Sequence, residues 1–318
     1  MYNSSIKGGN MFSRKKVLIC IVSLLFILSL AGGYQSAYAG SQPLVETGWL
    51  SKNLDNVKVV FVDNWPSDKE EYAKKHIKGS SMMGVGALMG TFNGGNPDKA
   101  KFEGMMQSLG ISSNDHVVLY GAKGENVFTL GAFWLMEYFG HKNVSYLNGG
   151  LAKWNKENLA SEGGTPAAAP GSYKAASANE SIRTTADAVL AGLNNKGSVL
   201  VDARGTGEYN GEVNNDKNKR VGHIPGALDL DSKSNFNADG TIKPAAELKT
   251  LYESKGVTKD KNVTTYCQGA IKAANAYFAL KHVLGYPNVK VYAGSWGEWS
   301  RSDYNKYPIV GKIAEEKK

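Results

Sequence analysis

Two cysteines in 318 residues leave little room for sulfur chemistry, and only one of them falls in a segment that can fold. Cys20 lies inside the apolar run from Val17 to Leu30. Arg14, Lys15 and Lys16 precede that run, and the small-x-small triplet Ala37-Tyr38-Ala39 follows it. This is the arrangement of a cleaved secretory signal. The run of 14 residues is short of the roughly 20 that a spanning helix needs. Residues 1–39 are therefore expected to be a signal peptide that exports the chain to the cell envelope, the periplasm or the medium. A retained signal anchor is the alternative, and Met11 is a second candidate initiator. Cys267 is then left alone, which excludes an internal disulfide and marks a free thiol in an oxidising compartment.

Other absences narrow the function further. The five histidines are scattered without the spacing of a ligand set, so neither a metal nor a cofactor is expected. The leader holds four of the 37 Lys and Arg and none of the 29 Asp and Glu, so the remaining chain carries 33 against 29. So mild an excess, mixed with acidic residues throughout, excludes a nucleic-acid groove. The expected partners are small molecules, and a monomer is expected.

What the sequence does contain is its own repeat. "VVFVD" at 59–63 answers "SVLVD" at 198–202, and "HIKGS" at 76–80 answers "HIPGA" at 223–227. "HVVLYG" at 116–121 answers "NVTTYC" at 262–267, and "YFGHKNVSYLNGGLAKW" answers "VLGYPNVKVYAGSWGEW". The offsets are 139 for Asp63 to Asp202, 147 for His76 to His223, 146 for Tyr120 to Tyr266 and 145 for Trp154 to Trp299. A period that long means duplicated domains rather than a solenoid. The Ala-, Gly-, Ser- and Pro-rich stretch between the copies cannot bury much and is expected to be a linker, 161–178. The domains are then 40–160 and 179–318.

Within each copy, short β-branched apolar runs alternate with helical patterns. In the second copy "SVLVDA", "NVTTYC" and "NVKVYAG" are predicted strands. Residues 245–256, closed by Gly256, and 271–285 are predicted helices. This alternation predicts an α/β fold, a parallel sheet flanked by helices, with sites at the carboxyl ends of the strands. Cys267 sits at such an end. A tight loop entering a helix turns N–H groups toward one point, and the helix dipole adds positive charge. An anionic sulfur there is stabilised, and the thiol pKa is expected to fall. Gly269 is expected to supply a positive φ, and Lys272 a full charge. A small buried core thiol is the plain alternative.

Taken together, "VDARGTGEYNG", "VGHIPGAL", "TTYCQGAIKAA" and "AGSWGEWSR" resemble the tandem rhodanese-type sulfurtransferases, in order and over both halves from about Val57 to Arg301. The resemblance implies two rhodanese-like domains, the first without its cysteine and with Gly121 in that position. It implies a sulfur relay: Cys267 takes the outer sulfur of thiosulfate and a persulfide passes it to cyanide or a thiol. Arg204 matches the family arginine that faces the anionic donor, with Asp202 orienting it. The loop residues Gln268, Gly269, Ala270, Ile271 and Lys272 are the expected substrate contacts. His223 and Gly226 match an architectural motif, Trp296, Glu298 and Trp299 a brace between loop and sheet, and Arg220 a charged rim.

The loop departs from the familiar subfamilies. Thiosulfate-selective members carry basic residues directly after the cysteine and a hydroxyl near the loop end. Mercaptopyruvate enzymes carry glycine, a small polar residue and Gly-Val-Thr. Here the basic residue is at the far end and the hydroxyl is missing. A 3-mercaptopyruvate sulfurtransferase and a non-catalytic sulfane-sulfur carrier stay open as alternatives. A cysteine-phosphatase loop needs an arginine six positions after the cysteine, where this chain has Ala273. The first half is expected to wall one side of the site. "SMMGVGALMG" at 81–90 reads as a buried, gap-filling segment.

Overall fold

A computed structural model describes residues 42–64, 67–214 and 218–314; the expected leader, with Cys20, lies outside them. The first half contains β1 (Leu44–Val45), β2 (Lys58–Val62), β3 (His76–Ile77), β4 (Ser81–Met83), β5 (Val117–Tyr120), β6 (Val144–Leu147) and β7 (Ser161–Glu162). Five of these form a sheet in the order β1-β6-β5-β2-β4, and every pairing is parallel. The second half contains β8 (Arg183–Thr184), β9 (Ser198–Asp202), β10 (Arg220–His223), β11 (Leu228–Asp229), β12 (Asn262–Tyr266), β13 (Val289–Tyr292) and β14 (Val310–Ile313). Its sheet runs β8-β13-β12-β9-β11, again all parallel. The two orders are the same topology written twice, as the constant sequence offset requires. All four residues of β5 and of β6 are buried, the continuous apolar pattern of strands covered by helices on both faces.

The repeated landmarks do the same work in each copy. Tyr120 Oη accepts from the Ile77 amide at 3.1 Å, and Tyr266 Oη from the Ile224 amide at 3.2 Å. His76 Nδ1 lies 2.8 Å from the Tyr72 carbonyl and stacks on that ring; His223 Nδ1 lies 2.9 Å from the Tyr209 carbonyl and stacks likewise. Trp154 and Trp299 each donate their indole N–H to a carbonyl, Ala160 and Pro308. His223 is thus a tie between a helix end and β10, with no reacting atom near it to serve.

The halves share one hydrophobic core. Its centre is the helix Val127–Tyr138, buried at nine of its residues, packed along the helix Ile271–Phe278 that follows Cys267. A helix apolar on nearly every side has to be enclosed. Gly131 allows the contact: a Cβ there would stand 2.8 Å from Ile271 Cδ1. Phe133 meets Phe278 edge-on at 4.9 Å, Asn275 Nδ2 donates to the Val127 carbonyl at 3.1 Å, and His282 Nε2 lies 2.9 Å from Glu137. The predicted helix 271–285 is α-helical only to Phe278 and continues as a π turn, Ala279–Val283.

The stretch expected as a linker is laid along the first half instead. Ser161–Glu162 pairs antiparallel with His76–Ile77. Gln107 Nε2 donates to the Tyr173 carbonyl, and the Ser113 hydroxyl both accepts from the Lys174 amide and donates to its carbonyl. Tyr173 is buried against Phe102 and His141. Composition undercounted this segment, because one aromatic side chain and backbone pairing suffice to anchor it. Of the 81–90 segment, Met83, Val85 and Leu88 are buried, whereas Met89 is 40% exposed.

Candidate active site

Cys267 follows the last residue of β12 and opens a loop that ends at the helix Ile271–Phe278. The loop is held by the turn after β13. Ser295 Oγ accepts from the amides of Cys267 (3.2 Å) and Ala270 (3.1 Å) and donates to the Tyr292 carbonyl at 2.8 Å. The amides of Trp296 and Gly297 donate to the carbonyls of Cys267 and Gln268, at 2.8 and 2.9 Å. The residue with positive φ is Ala270, at 71°, not Gly269 as the sequence suggested. A non-glycine residue there costs free energy, of order 1–3 kcal/mol, and Ser295 is what holds it.

The thiol is 2% exposed. Burial pushes its pKa up, and this outweighs the opposing N–H groups of Ala273, Gly269 and Lys272 and the Lys272 charge. The expected lowered thiol pKa is therefore corrected: desolvation of the anion is the larger effect in the resting chain. The N–H groups still point at the sulfur and the Lys272 charge still acts on it, so the loop is a cradle for an anion once one forms.

The other expected contacts distribute differently. Lys272 Nζ pairs with Glu208 Oε2 at 3.3 Å, and that carboxylate also accepts from the Gly205 amide. Gln268 exchanges two amide hydrogen bonds with Asn218, each 3.0 Å, so its head is committed to bracing the loop. Ile271 points into the contact with Gly131. Gly269 has nothing within 4 Å of a would-be Cβ and faces open space.

Arg204 departs from the role expected of it. It is 2% exposed and donates to Asp202 through Nε (2.9 Å) and Nη2 (2.6 Å), and to the Gly222 carbonyl at 2.7 Å. Its guanidinium carbon lies 4.8 Å from the Trp296 ring centroid. Buried Asp202 needs a cation at once, and Arg204 supplies it, so the guanidinium is engaged within the protein. Arg220 is corrected likewise: it is 3% exposed, caps the carbonyls of Trp299, Ser300 and Tyr307, and forms no rim.

Beside the loop lies an open cleft of about 430 Å³, lined by Gln268, Gly269, Gly297, Glu298 and Arg301, and by Gly94 of the first half. The space equals that of roughly a dozen waters at about 30 Å³ each. The matching position in the first half is filled. A Cβ at Gly121 would stand 2.6 Å from the Asn126 side chain, whose Nδ2 donates to the Val62 carbonyl at 2.8 Å. In the repeat, Asn126 stands at the position that Lys272 holds in the second copy.

Reading the sequence alone missed Glu208, Asn218, Ser295 and Arg301. Glu208, Ser295 and Arg301 lie inside conspicuous motifs, while Asn218 carries no sequence signal.

A Rhodanese-like domain profile matches residues 46–157 and 185–302. The sulfur carrier protein TtuD of Thermus thermophilus is 38% identical over 279 residues, 82% of this chain and 95% of that protein. A Mycobacterium tuberculosis protein named "Putative thiosulfate sulfurtransferase" is 34% identical over 266 residues, 80% of this chain and 94% of its own length. Among solved structures, the 3-mercaptopyruvate sulfurtransferase SseA of Escherichia coli superposes with a TM-score of 0.70 at 28% identity, over 80% of this chain and 99% of that one. With two rhodanese-like domains matched over most of its length and relatives above 30% identity, the chain belongs to the rhodanese family of sulfurtransferases.

Proposed function

We propose that this chain moves a sulfane sulfur from thiosulfate to cyanide or a thiol acceptor through a persulfide on Cys267. The observation that carries the reading is the Cys267 sulfur at the carboxyl end of β12, with three backbone N–H groups directed at it and the Lys272 charge within electrostatic reach. The thiol gives its proton to solvent. The thiolate attacks the outer sulfur of thiosulfate, a Cys–S–S bond forms, and the donor S–S bond breaks with its electron pair leaving on sulfite. The terminal persulfide sulfur, an anion, sits in the cradle. Cyanide then attacks that sulfur, the persulfide bond breaks, and thiocyanate leaves with the thiolate restored. The loop N–H groups and Lys272 stabilise negative charge at each stage without needing to move. We further propose export, on the strength of the basic, apolar and small-x-small pattern of residues 14–39; N-terminal sequencing of the secreted protein should begin at Gly40.

The likeness to the sulfur carrier protein TtuD favours a second reading, in which the chain carries the Cys267 persulfide without catalytic turnover. Mass spectrometry and turnover separate the two. Thiosulfate-treated protein should gain one sulfur on Cys267, and added cyanide should release thiocyanate over many turnovers. Cys267→Ser should abolish both. A persulfide that forms but turns over poorly with every small acceptor supports the carrier. No added sulfur removes both readings, and preference for 3-mercaptopyruvate in direct competition would transfer the donor assignment.

A further inference from the structure

A donor such as thiosulfate brings negative charge to a loop whose nearby cations are already engaged. Arg204 is bound to Asp202 and the Gly222 carbonyl. Arg220 is spent on the carbonyls of Ser300 and Tyr307. Lys272 is shared between Glu208 and the sulfur. Arg301 differs from all three. It is exposed, it lines the cleft, and among the described residues no hydrogen bond or ion pair engages its guanidinium.

Its position is fixed relative to the loop by backbone alone. The Gly297 amide donates to the Gln268 carbonyl at 2.9 Å, and the Arg301 amide donates to the Glu298 carbonyl at 3.1 Å. Arg301 therefore sits one turn from a residue hydrogen-bonded to the catalytic loop, and both line the cleft. Gly269 and Gly297 strip that wall of side chains, which bares backbone to whatever enters. Glu298 shares the cleft, but one of its oxygens is folded back over Gly294, 1.8 Å from where a side-chain carbon on that glycine would stand.

We infer that Arg301 is the donor-binding cation of this site, and that its guanidinium receives the sulfonate oxygens of thiosulfate in the cleft beside Cys267. The inference rests on the sulfur-transfer reading above. A planar fork suits an oxyanion with several equivalent oxygens, and the ion enters with its outer sulfur toward the loop. Here the specificity for an anionic donor comes from the end of the segment after β13, and not from the residues that directly follow the cysteine.

Calorimetric titration of thiosulfate into the Cys267→Ser protein reads the anion site without turnover. Adding Arg301→Gln should weaken binding by about tenfold or more, the loss of one charge-assisted contact. Arg301→Lys should recover part of it, and the Cys267→Ser protein should lose affinity as salt rises. Thermal melts of the variants should stay close to that of Cys267→Ser, since the exposed side chain holds nothing in place. Unchanged affinity in Arg301→Gln, or no thiosulfate binding to the Cys267→Ser protein at millimolar concentration, overturns the assignment. Binding that depends on Arg301 in a protein whose wild type makes no thiocyanate keeps the assignment and defeats the transfer reaction.

Discussion

Cys267 combines two requirements that oppose each other. A buried thiol resists stray oxidation, yet burial is what raises its pKa. Reaction with iodoacetamide, a neutral probe, follows the thiolate fraction. For an acid whose pKa is raised, that fraction is small at neutral pH and grows through the alkaline range, so the alkylation rate should keep climbing above about pH 8.5, the ordinary thiol value. Lys272→Met removes a charge that lowers the pKa, and should move the profile further alkaline. A rate that levels off by pH 7 in the wild type contradicts this account. Arg204 and Arg220 teach the same lesson from the basic side. A motif identifies a guanidinium, but burial decides whether it meets a substrate or a carbonyl. The sequence set Arg204 against the donor and Arg220 on a charged rim, and the structure engages both in bracing.

At the scale of elements, the parallel sheets were legible because β-branched runs and helical runs alternate with short connections. The repeat made each prediction twice. The helix after Cys267 was legible in place and type, but its π turn was not, since periodicity does not register one extra residue per turn. The close helix pair was also hidden, because Gly131 reads as a weak helix residue until Ile271 is seen against it. Gly131→Val should force the two helices apart and cost about 1–3 kcal/mol, the usual penalty of overpacking. Denaturant midpoints measure this, and a variant as stable as wild type would show that the contact is slack. The loop followed the same rule. Its location was legible, while the residue with positive φ was not, because Ala270 adopts it only under the grip of Ser295.

For the whole molecule, the shared core makes the two halves one cooperative unit. Helix Val127–Tyr138 would expose a largely apolar surface if the second half unfolded alone. Calorimetry on the chain should therefore give one transition, with calorimetric and van't Hoff enthalpies in agreement. Two resolved transitions would mean independent domains. The first half also lines the cleft through Gly94, while its own loop is filled by Asn126. It has kept the fold and given up the site.

Sequence by itself determined the duplication, the α/β class, the strand-end position of the one foldable cysteine and the glycine, Gly121, that stands opposite it in the first copy. All of these follow from local pattern and spacing. Only the tertiary structure decided the thiol's pKa direction, the engagement of Arg204, Arg220 and Lys272, and the freedom of Arg301. Charge and solvation depend on what lies nearby in space, and the groups that settle them here stand two to about a hundred residues apart along the chain.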